Sequence, residues 1–197
     1  MTIASVIFVA TIAVSLAGLY AAPQIIAASI FRPYRFVRGQ QYAAIVTSGF
    51  VHADLTHLIF NMMTYYFFAF QLERQIGQLA FGVLYFLALV VSEAGSCLKH
   101  RNEPEYGTLG ASGAIAAVLF ASIVYFPTQR LIILPIPVPI PAPLFAVLYL
   151  AYTWYSARQA RGHINHDAHL GGALLGLAFV LVTDTGAYRG LLHALGF

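Results

Sequence analysis

Six long apolar stretches constrain this chain more than any other feature of its sequence. The chain has 197 residues, of which 60% are hydrophobic and 9% are charged, whereas an average soluble domain is about 25% charged. A chain with so few charged residues has too little polar surface to cover a water-soluble domain. The sequence therefore predicts an integral membrane protein. The predicted spanning segments are residues 3–22, 55–72, 79–98, 111–126, 143–155 and 166–183.

These segments predict an all-α fold, a polytopic membrane protein with a single bundle of six transmembrane helices over residues 1–197. The first segment has no preceding Lys or Arg and is long enough to span, so it is interpreted as a retained helix rather than a signal peptide. The fourth and fifth segments are short for a hydrocarbon core about 30 Å thick. They indicate helices that end inside the protein or a locally thinned bilayer.

Two connecting segments have a distinctive composition. Residues 23–51 interleave arginines with aromatic and aliphatic side chains, which predicts a loop lying in the membrane interface. From Pro135 to Pro143 every second residue is proline, which excludes a helix and favours a stiff, extended backbone. The second segment carries no charge, so we expect it to lie against the membrane surface.

Polar side chains inside apolar segments are costly and tend to mark functional positions. Such side chains occur in four segments: Glu93 in the third, which has no obvious partner, Ser112 in the fourth, His57 and Asn61 in the second, and His166 and His169 in the sixth. A spacing of four places His57 and Asn61 on one helix face, and His52 lies just before them. Singly, such a serine or histidine is explained by helix packing, but together they indicate a site.

Small residues favour close packing of the fourth and sixth segments, because small-xxx-small stripes let two membrane helices approach each other. The stripes are Gly113 with Ala117 and Gly172 with Gly176. Close approach would bring Ser112 within hydrogen-bond reach of a histidine near the start of the sixth segment. His169 precedes Gly172 by three residues and lies on about the same face, whereas His166 lies one turn earlier.

These groups together can perform serine-type hydrolysis. A serine hydroxyl becomes a nucleophile when a histidine takes its proton, and the resulting oxyanion needs preorganised donors. His57, Asn61 and the backbone N–H of Ser112 can supply them. Asp167 is turned away from His169 by helical spacing, so the sequence predicts a Ser-His dyad, with no cofactor and no metal.

The motifs resemble those of the rhomboid intramembrane serine proteases, of the bacterial type with a six-helix core. Residues 52–62 are similar to the second-helix motif, residues 110–113 (Gly-Ala-Ser-Gly) to the nucleophile motif, and residues 163–172 to the sixth-helix motif. They occur in the family's order and cover nearly the whole chain. Position by position, the resemblance assigns Ser112 as nucleophile, His169 as general base, His57 and Asn61 as oxyanion groups, and His52, Gly110, Gly113 and Gly172 as supporting residues.

The resemblance implies a protease that cleaves transmembrane segments of other proteins in a water-filled cavity. Substrates would enter from the lipid between the second and fifth helices, with the loop before the sixth helix as a lid. The implied partners are these substrates and the bilayer of the cell's inner membrane, and no oligomeric state is indicated. The net charge of +3 is too small and scattered to suggest nucleic acid.

Two positions depart from the family pattern. Many members have Trp-Arg in the first loop, where this chain has Ala43 and Ala44, so that brace is moved or missing. Many members also place an aromatic residue one turn after the serine, where it stacks on the catalytic histidine, and here that position is Ala116. We therefore expect another group to orient His169, and turnover to be low.

The charge distribution and the family disagree on orientation. The family's topology places the amino terminus in the cytoplasm, so the first, third and fifth loops, with seven of the ten Lys and Arg residues, would face outward. The positive-inside rule predicts the reverse. Because the first loop is expected to lie in the membrane, we keep the family's topology.

Two alternative functions fit some of these residues. A non-catalytic rhomboid-like protein would bind and escort membrane segments, although such relatives usually lack the serine or histidine that this chain keeps. A metal-dependent membrane enzyme would use a histidine cluster, but it gives Ser112 no role. Its ligands would be His163, His166, His169 and Asp167, with His52 and His57.

Overall fold

The elements of the fold come from a computed structural model that describes residues 1–133, 136–159 and 165–196. Within these ranges the named elements are all helices apart from one two-stranded hairpin, and turns and loops connect them. In chain order the elements are α1 (Ile3–Tyr20), α2 (Gln24–Ser29), α3 (Pro33–Phe36), α4 (Ala44–Thr47), α5 (Leu55–Ile76), α6 (Gln78–Ser92), α7 (Ala94–His100), α8 (Ser112–Tyr125), β1 (Arg130–Ile133), β2 (Ile136–Pro141), α9 (Ala142–Gln159), α10 (His166–Thr183) and α11 (Ala187–Ala194). A 3-10 turn, Ser48–Phe50, follows α4.

All six segments predicted to span the membrane are helical, and the protein is the predicted helical membrane bundle. The segments correspond to α1, α5, α6 with α7, α8, α9 and α10. By length and composition, α1, the region Gln78–His100 and α10 are sufficient to cross a membrane, and α8 is a shorter apolar helix.

Three helices differ from their predicted bounds. The fifth apolar run is short, as predicted, but α9 has 18 residues because the helix continues past that run. In its last turns the Arg158 guanidinium lies 3.8 Å from the centre of the Trp154 ring, a favourable cation–π contact. Helix α5 continues to Ile76 and ends at Gly77, whose φ is +85°. The third segment is divided at Glu93 into α6 and α7.

Helix α8 lies at the centre of the bundle, in contact with α5, α6, α9, α10 and α11. Every residue from Gly113 to Val124 is buried, as expected for a helix that is apolar on all faces. A Cβ atom on Gly172 or Gly176 of α10 would collide with a backbone carbonyl of α8, that of Gly113 or Ala117 respectively. The predicted close approach is therefore confirmed, and it sets the start of α10 beside the start of α8.

The segment 23–51 packs against the outside of α1, α6 and α7 as short helices rather than as an irregular loop. Phe31 is fully buried and forms an isolated bridge to Thr108, each backbone N–H donating to the other carbonyl at 2.9 Å. This bridge fixes the segment to the loop before α8. Its depth in a bilayer stays a prediction.

The proline-rich segment forms a strand. Strand β2 pairs antiparallel with β1, so the predicted extended conformation is confirmed over Ile136–Pro141. Pro143 lies instead in the first turn of α9, where a missing N–H costs no intrahelical hydrogen bond. Pro135 lies outside the described residues.

Candidate active site

A cavity of about 770 Å³ lies between α5, α8, α9 and β1. Its walls are mainly apolar, and three of the predicted site residues reach it from three helices. These are Asn61 of α5, Ser112 of α8 and His169 of α10. The cavity thus brings together the residues that the sequence placed in separate apolar segments.

Ser112 is the first residue of α8 and is half-buried. The turn before it is held by Gly110, whose N–H donates to the Ser48 carbonyl at 2.9 Å. The first N–H groups of a helix have no intrahelical acceptor, and this end of the helix dipole favours negative charge. Ser112 therefore presents a hydroxyl and a backbone donor at the same place.

Gly110 is the residue against which the two predicted oxyanion side chains pack. Its φ of +109° lies in the region that glycine adopts readily and other residues rarely do. A Cβ atom there would lie 2.7 Å from His57 Cε1, 2.8 Å from His57 Nε2 and 3.7 Å from Asn61 Nδ2. Both the conformation and the space therefore require glycine, and His57 lies beside this turn rather than on the cavity wall.

The first turn of α5 fixes these two side chains. Asp54 caps the helix, its carboxylate accepting from the His57 N–H at 2.8 Å, so His57 and Asn61 follow one turn apart on the face towards Gly110. Asn61 is 8% exposed, and its Nδ2 has no hydrogen-bond partner among the described residues. A buried amide donor is thus available beside the turn that carries Ser112.

His52 supports this arrangement from outside the cavity. It is fully buried, and its Nδ1 lies 2.9 Å from Ser15 Oγ of α1. Because the Ser15 hydroxyl donates to the Phe50 carbonyl at 2.9 Å, His52 Nδ1 must carry the proton of that contact. The His52 ring lies edge-on to His57, with 4.9 Å between centroids. Burial, and then the neighbouring His57, lower the pKa of His52 to about 3, so this ring is neutral.

His169 is oriented by an aromatic side chain from α9. The Tyr149 ring stacks on it with centroids 6.3 Å apart and 18° between the planes, an offset geometry that is favourable for aromatic pairs. Phe120 of α8 in turn packs on Tyr149, with 5.4 Å between centroids. The sequence led us to expect that some other group orients His169, because position 116 is alanine. That group is Tyr149 of α9, whose ring contacts His169.

His166, the other candidate base, does not line the cavity. It is buried, with its ring edge-on to Tyr152 at 5.4 Å between centroids, and its ring centre lies 6.2 Å from that of His169. Ser112 Oγ makes no direct hydrogen bond to His169 in the part of the chain that the structure describes. Substrate-free sites often have looser catalytic hydrogen bonds, which tighten when a substrate binds.

The carboxylates near α10 have other partners. Asp167 Oδ1 lies 2.6 Å from Lys99 Nζ of α7, so it faces away from His169, as its spacing predicted. Lys99 also donates to the Ala157 carbonyl at 2.9 Å. Asn165 caps α10 by accepting from the Ala168 N–H, and its Nδ2 donates to Glu93 Oε2 at 3.4 Å.

Tyr149 and Ser15 are the contacts that sequence reasoning missed. The departure at Ala116 indicated that some group must orient His169, but the sequence has no further signal for which one. The histidine cluster of the alternative metal-enzyme hypothesis is not formed by the residues in the described ranges, where no three His, Cys, Asp or Glu side chains lie close enough together to hold a metal ion. His163, one of its proposed ligands, lies outside those ranges.

Known proteins are similar to this chain in sequence over most of its length. A family model described as the Rhomboid domain matches residues 39–184. The chain is 33% identical over 143 residues to the Presenilin-associated rhomboid-like protein, mitochondrial, of Rattus norvegicus, covering 69% of this chain and 37% of that protein. The corresponding Homo sapiens protein is also 33% identical over 143 residues, covering 69% of this chain and 36% of its own length.

A plant relative is more distant. RHOMBOID-like protein 12, mitochondrial, of Arabidopsis thaliana is 27% identical over 147 residues, covering 66% of this chain and 43% of that protein. The chain thus spans less than half the length of these curated relatives.

Proposed function

The chain belongs to the rhomboid family, and we propose that it is an intramembrane serine endopeptidase that cleaves transmembrane segments of other membrane proteins. One observation carries the proposal: Ser112, His169 and Asn61, from three different helices, line one cavity within an apolar bundle. Ionisable and amide groups are retained in such surroundings when they have a function.

The chemistry follows from the positions of these groups. His169 takes the proton of Ser112 Oγ as that oxygen attacks a substrate carbonyl carbon. The negative oxygen of the tetrahedral intermediate accepts hydrogen bonds from the Ser112 backbone N–H and from Asn61 Nδ2, with His57 Nε2 as a third donor beside Gly110. When the peptide bond breaks, His169 gives its proton to the leaving amine. Water then attacks the acyl-serine, and His169 acts as the base once more.

The cavity also fits the class of substrate. Its walls include Phe60 and Phe67 of α5 and Phe145 and Tyr149 of α9, so it lies between the two helices where the family resemblance expects lateral entry. The apolar walls can contact the apolar side chains of a transmembrane segment, and the few polar groups can hydrogen-bond the peptide bond that is hydrolysed. The predicted lid, residues 157–165, lies largely outside the described residues.

The protein is a multi-pass membrane protein. The prediction that it resides in a cell's inner membrane has no support from the relatives, whose names place those proteins in mitochondria. The proposed reaction requires an apolar environment around the helices of the protein and its substrate, and it is independent of which membrane supplies that environment.

A detergent-solubilised preparation with a single-span reporter protein tests the proposal. We expect the parent chain to cleave the reporter, and both Ser112→Ala and His169→Ala to be inactive. Asn61→Ala should keep partial activity, because losing one oxyanion donor costs about 3–4 kcal/mol while the others remain. Equal cleavage by Ser112→Ala would exclude the serine mechanism.

The same assay separates the two alternatives. Reporter binding without cleavage by the parent would identify a non-catalytic membrane-segment binder. Cleavage abolished by a chelator and unaffected by a serine-directed inhibitor would identify a metal enzyme.

A further inference from the structure

We propose that the outer edge of β1 holds an extended stretch of the substrate by strand addition. The inference rests on the proposed function and concerns how the same cavity binds its substrate. Its basis is the register of the hairpin, which turns backbone N–H groups of β1 outward and places prolines at the outward positions of β2.

The register defines which backbone groups of the hairpin face outward. The Ala142 N–H donates to the Gln129 carbonyl at 2.9 Å, so these two residues form a hydrogen-bonded pair. The pairs that continue this register are Arg130 with Pro141, Leu131 with Ile140, and Ile132 with Pro139. Antiparallel pairs alternate between hydrogen-bonded and non-hydrogen-bonded. Arg130 and Ile132 therefore turn their N–H and C=O groups away from β2.

The two edges of the hairpin differ in their donors. Pro139 and Pro141 occupy the outward positions of β2 and have no N–H, so that edge resists pairing with another strand. On β1, the same alternation turns the Arg130 N–H and the Ile132 N–H outward, and among the described residues no backbone carbonyl outside the hairpin accepts from either. Among the described residues, the edge of the hairpin that can accept another strand is therefore the outer edge of β1.

The free edge of β1 belongs to the cavity that contains Ser112, since Arg130, Leu131 and Ile132 all line it. Gln129 Nε2 donates to Gln71 Oε1 of α5 at 3.1 Å, which fixes the base of the hairpin against the opposite wall. The edge is therefore continuous with the proposed site of cleavage.

The length of α8 sets where the substrate would pair. The helix separates Ser112 from β1 by about 20 Å, at a rise of 1.5 Å per residue. An extended chain covers this distance in roughly six residues, at about 3.3 Å per residue. The occupant is thus a substrate stretch roughly six to eight residues from the scissile bond.

Strand addition also solves a problem for the substrate. A membrane helix that unwinds to reach Ser112 loses its internal hydrogen bonds, and unpaired backbone groups are costly in apolar surroundings. The outward N–H and C=O groups of Arg130 and Ile132 pair with every second residue of the unwound stretch. Recognition of this kind uses the backbone and tolerates varied side chains.

The decisive comparison is proline against alanine at position 132. Ile132→Pro removes the outward N–H but no β1–β2 hydrogen bond, and the preceding Leu131 is already extended, as a following proline requires. Ile132→Ala removes the side chain and keeps the N–H. Both are made in the full chain with Ser112→Ala, so that the reporter is not consumed. The measurement is the Kd of a fluorescent single-span reporter peptide in detergent micelles, by anisotropy.

We expect Ile132→Pro to raise the Kd about tenfold relative to Ile132→Ala, equivalent to about 1.4 kcal/mol. Equal Kd values for the two variants, or no binding of the reporter to the Ser112→Ala chain itself, would overturn the proposal. Cleavage by the parent is measured separately, so a failure of proteolysis and a failure of strand addition give different results.

A scan of the substrate keeps the proposal testable if Ile132→Pro does not fold. Single prolines are placed at successive reporter positions roughly six to eight residues from the scissile bond, where an extended chain reaches β1. Only alternate N–H groups of a paired strand face β1. We therefore expect the single prolines to slow cleavage by the parent at every second position of the scan and to have little effect at the positions between. A uniform response along the scan contradicts strand addition.

Discussion

At the scale of single residues, Asp167 lies close to the proposed base, His169, in the sequence but forms its ion pair with Lys99 instead. Asp167 follows His166 and lies two residues before His169, yet its Oδ1 is 2.6 Å from Lys99 Nζ. Removing the carboxylate from a Ser-His-Asp triad lowers kcat about 10⁴-fold. For a dyad we expect Asp167→Asn to leave kcat unchanged in the reporter assay, and a 10⁴-fold loss would establish a triad instead.

The matched control breaks the same contact from its other end. Lys99→Met removes the cation and leaves the Asp167 carboxylate in place. The Lys99 side chain is 45% exposed, and exposed ion pairs contribute about 0–1 kcal/mol. Both variants should therefore lower the thermal unfolding temperature only slightly, Lys99→Met somewhat more because it also loses the hydrogen bond to the Ala157 carbonyl.

Tyr149 gives a second prediction at this scale. Aromatic stacking contributes about 0.5–1.5 kcal/mol, so we expect Tyr149→Ala to lower kcat several-fold by loosening His169, and Tyr149→Phe to retain the parent rate. Tyr155→Ala is the control, because Tyr155 lies on the same helix but is 61% exposed. If Tyr149→Ala and Tyr155→Ala have the same kcat, the stacking does not position the base.

A residue of the candidate site could be predicted from the sequence when its side chain is energetically costly to place in an apolar segment. Ser112, His169 and Asn61 stand out because polar groups are expensive in apolar segments, and the structure places all three on one cavity. Tyr149 did not stand out, because the chain has 12 tyrosines and an aromatic ring can pack at any depth of a membrane bundle without an energetic penalty that would mark it. Which ring meets His169 depends on how α9 packs, which has no local sequence signal.

At the scale of elements, the contact between α8 and α10 determines how close nucleophile and base can come. Gly172 has the α8 backbone where its Cβ would be, and forcing atoms into a packed contact costs about 1–3 kcal/mol. We expect Gly172→Ala to push the helices apart, lowering both the unfolding temperature and kcat.

Two other positions on α10 make this prediction specific. Gly176→Ala meets the Ala117 carbonyl and should destabilise to a similar extent, but with a smaller loss of kcat because it lies farther from His169. Leu174→Ala, at a side chain that is 51% exposed, should change neither quantity. A Gly172→Ala variant with the unfolding temperature and kcat of the parent would show that α8 and α10 can separate without consequence.

The long elements and the contact between α8 and α10 followed from the sequence, whereas features that depend on other tertiary contacts did not. Apolar runs identified the six spanning segments, and alternate prolines identified β2. The strand that pairs with β2, residues Arg130–Ile133, has no comparable pattern, because its extended form is imposed by its neighbour. The division of the third segment at Glu93 was likewise missed, since that break depends on tertiary contacts such as the hydrogen bond from Asn165.

At the scale of the whole molecule, α8 separates two ends of the bundle. Residues 101–111 lead into α8 at the end that carries Ser112, and residues 126–129 leave it at the other end. The arrangement of helices is the same whichever end faces the cytoplasm. Orientation therefore has to be inferred from charge or from the family, and these disagree.

Contacts account for several of the basic residues that oppose the family's topology. Arg38 lies 3.7 Å from the centre of the Tyr34 ring and donates to the Arg101 carbonyl, Lys99 pairs with Asp167, and Arg158 lies over Trp154. These side chains are placed by packing, so their number is a weaker guide to orientation than the same number of free charges.

Site-specific labelling decides the orientation. With Cys97 replaced by serine, a single cysteine is introduced at Glu105 or at Thr128, both exposed and at opposite ends of α8. Under the family's topology a membrane-impermeant maleimide applied to intact cells labels Glu105→Cys, whereas Thr128→Cys reacts only after permeabilisation. The reverse pattern would mean that the positive-inside rule holds here, and that the Ser112 end of the cavity opens to the cytoplasm. Because the two positions report on opposite ends, labelling of both in intact cells would show that the preparation leaks.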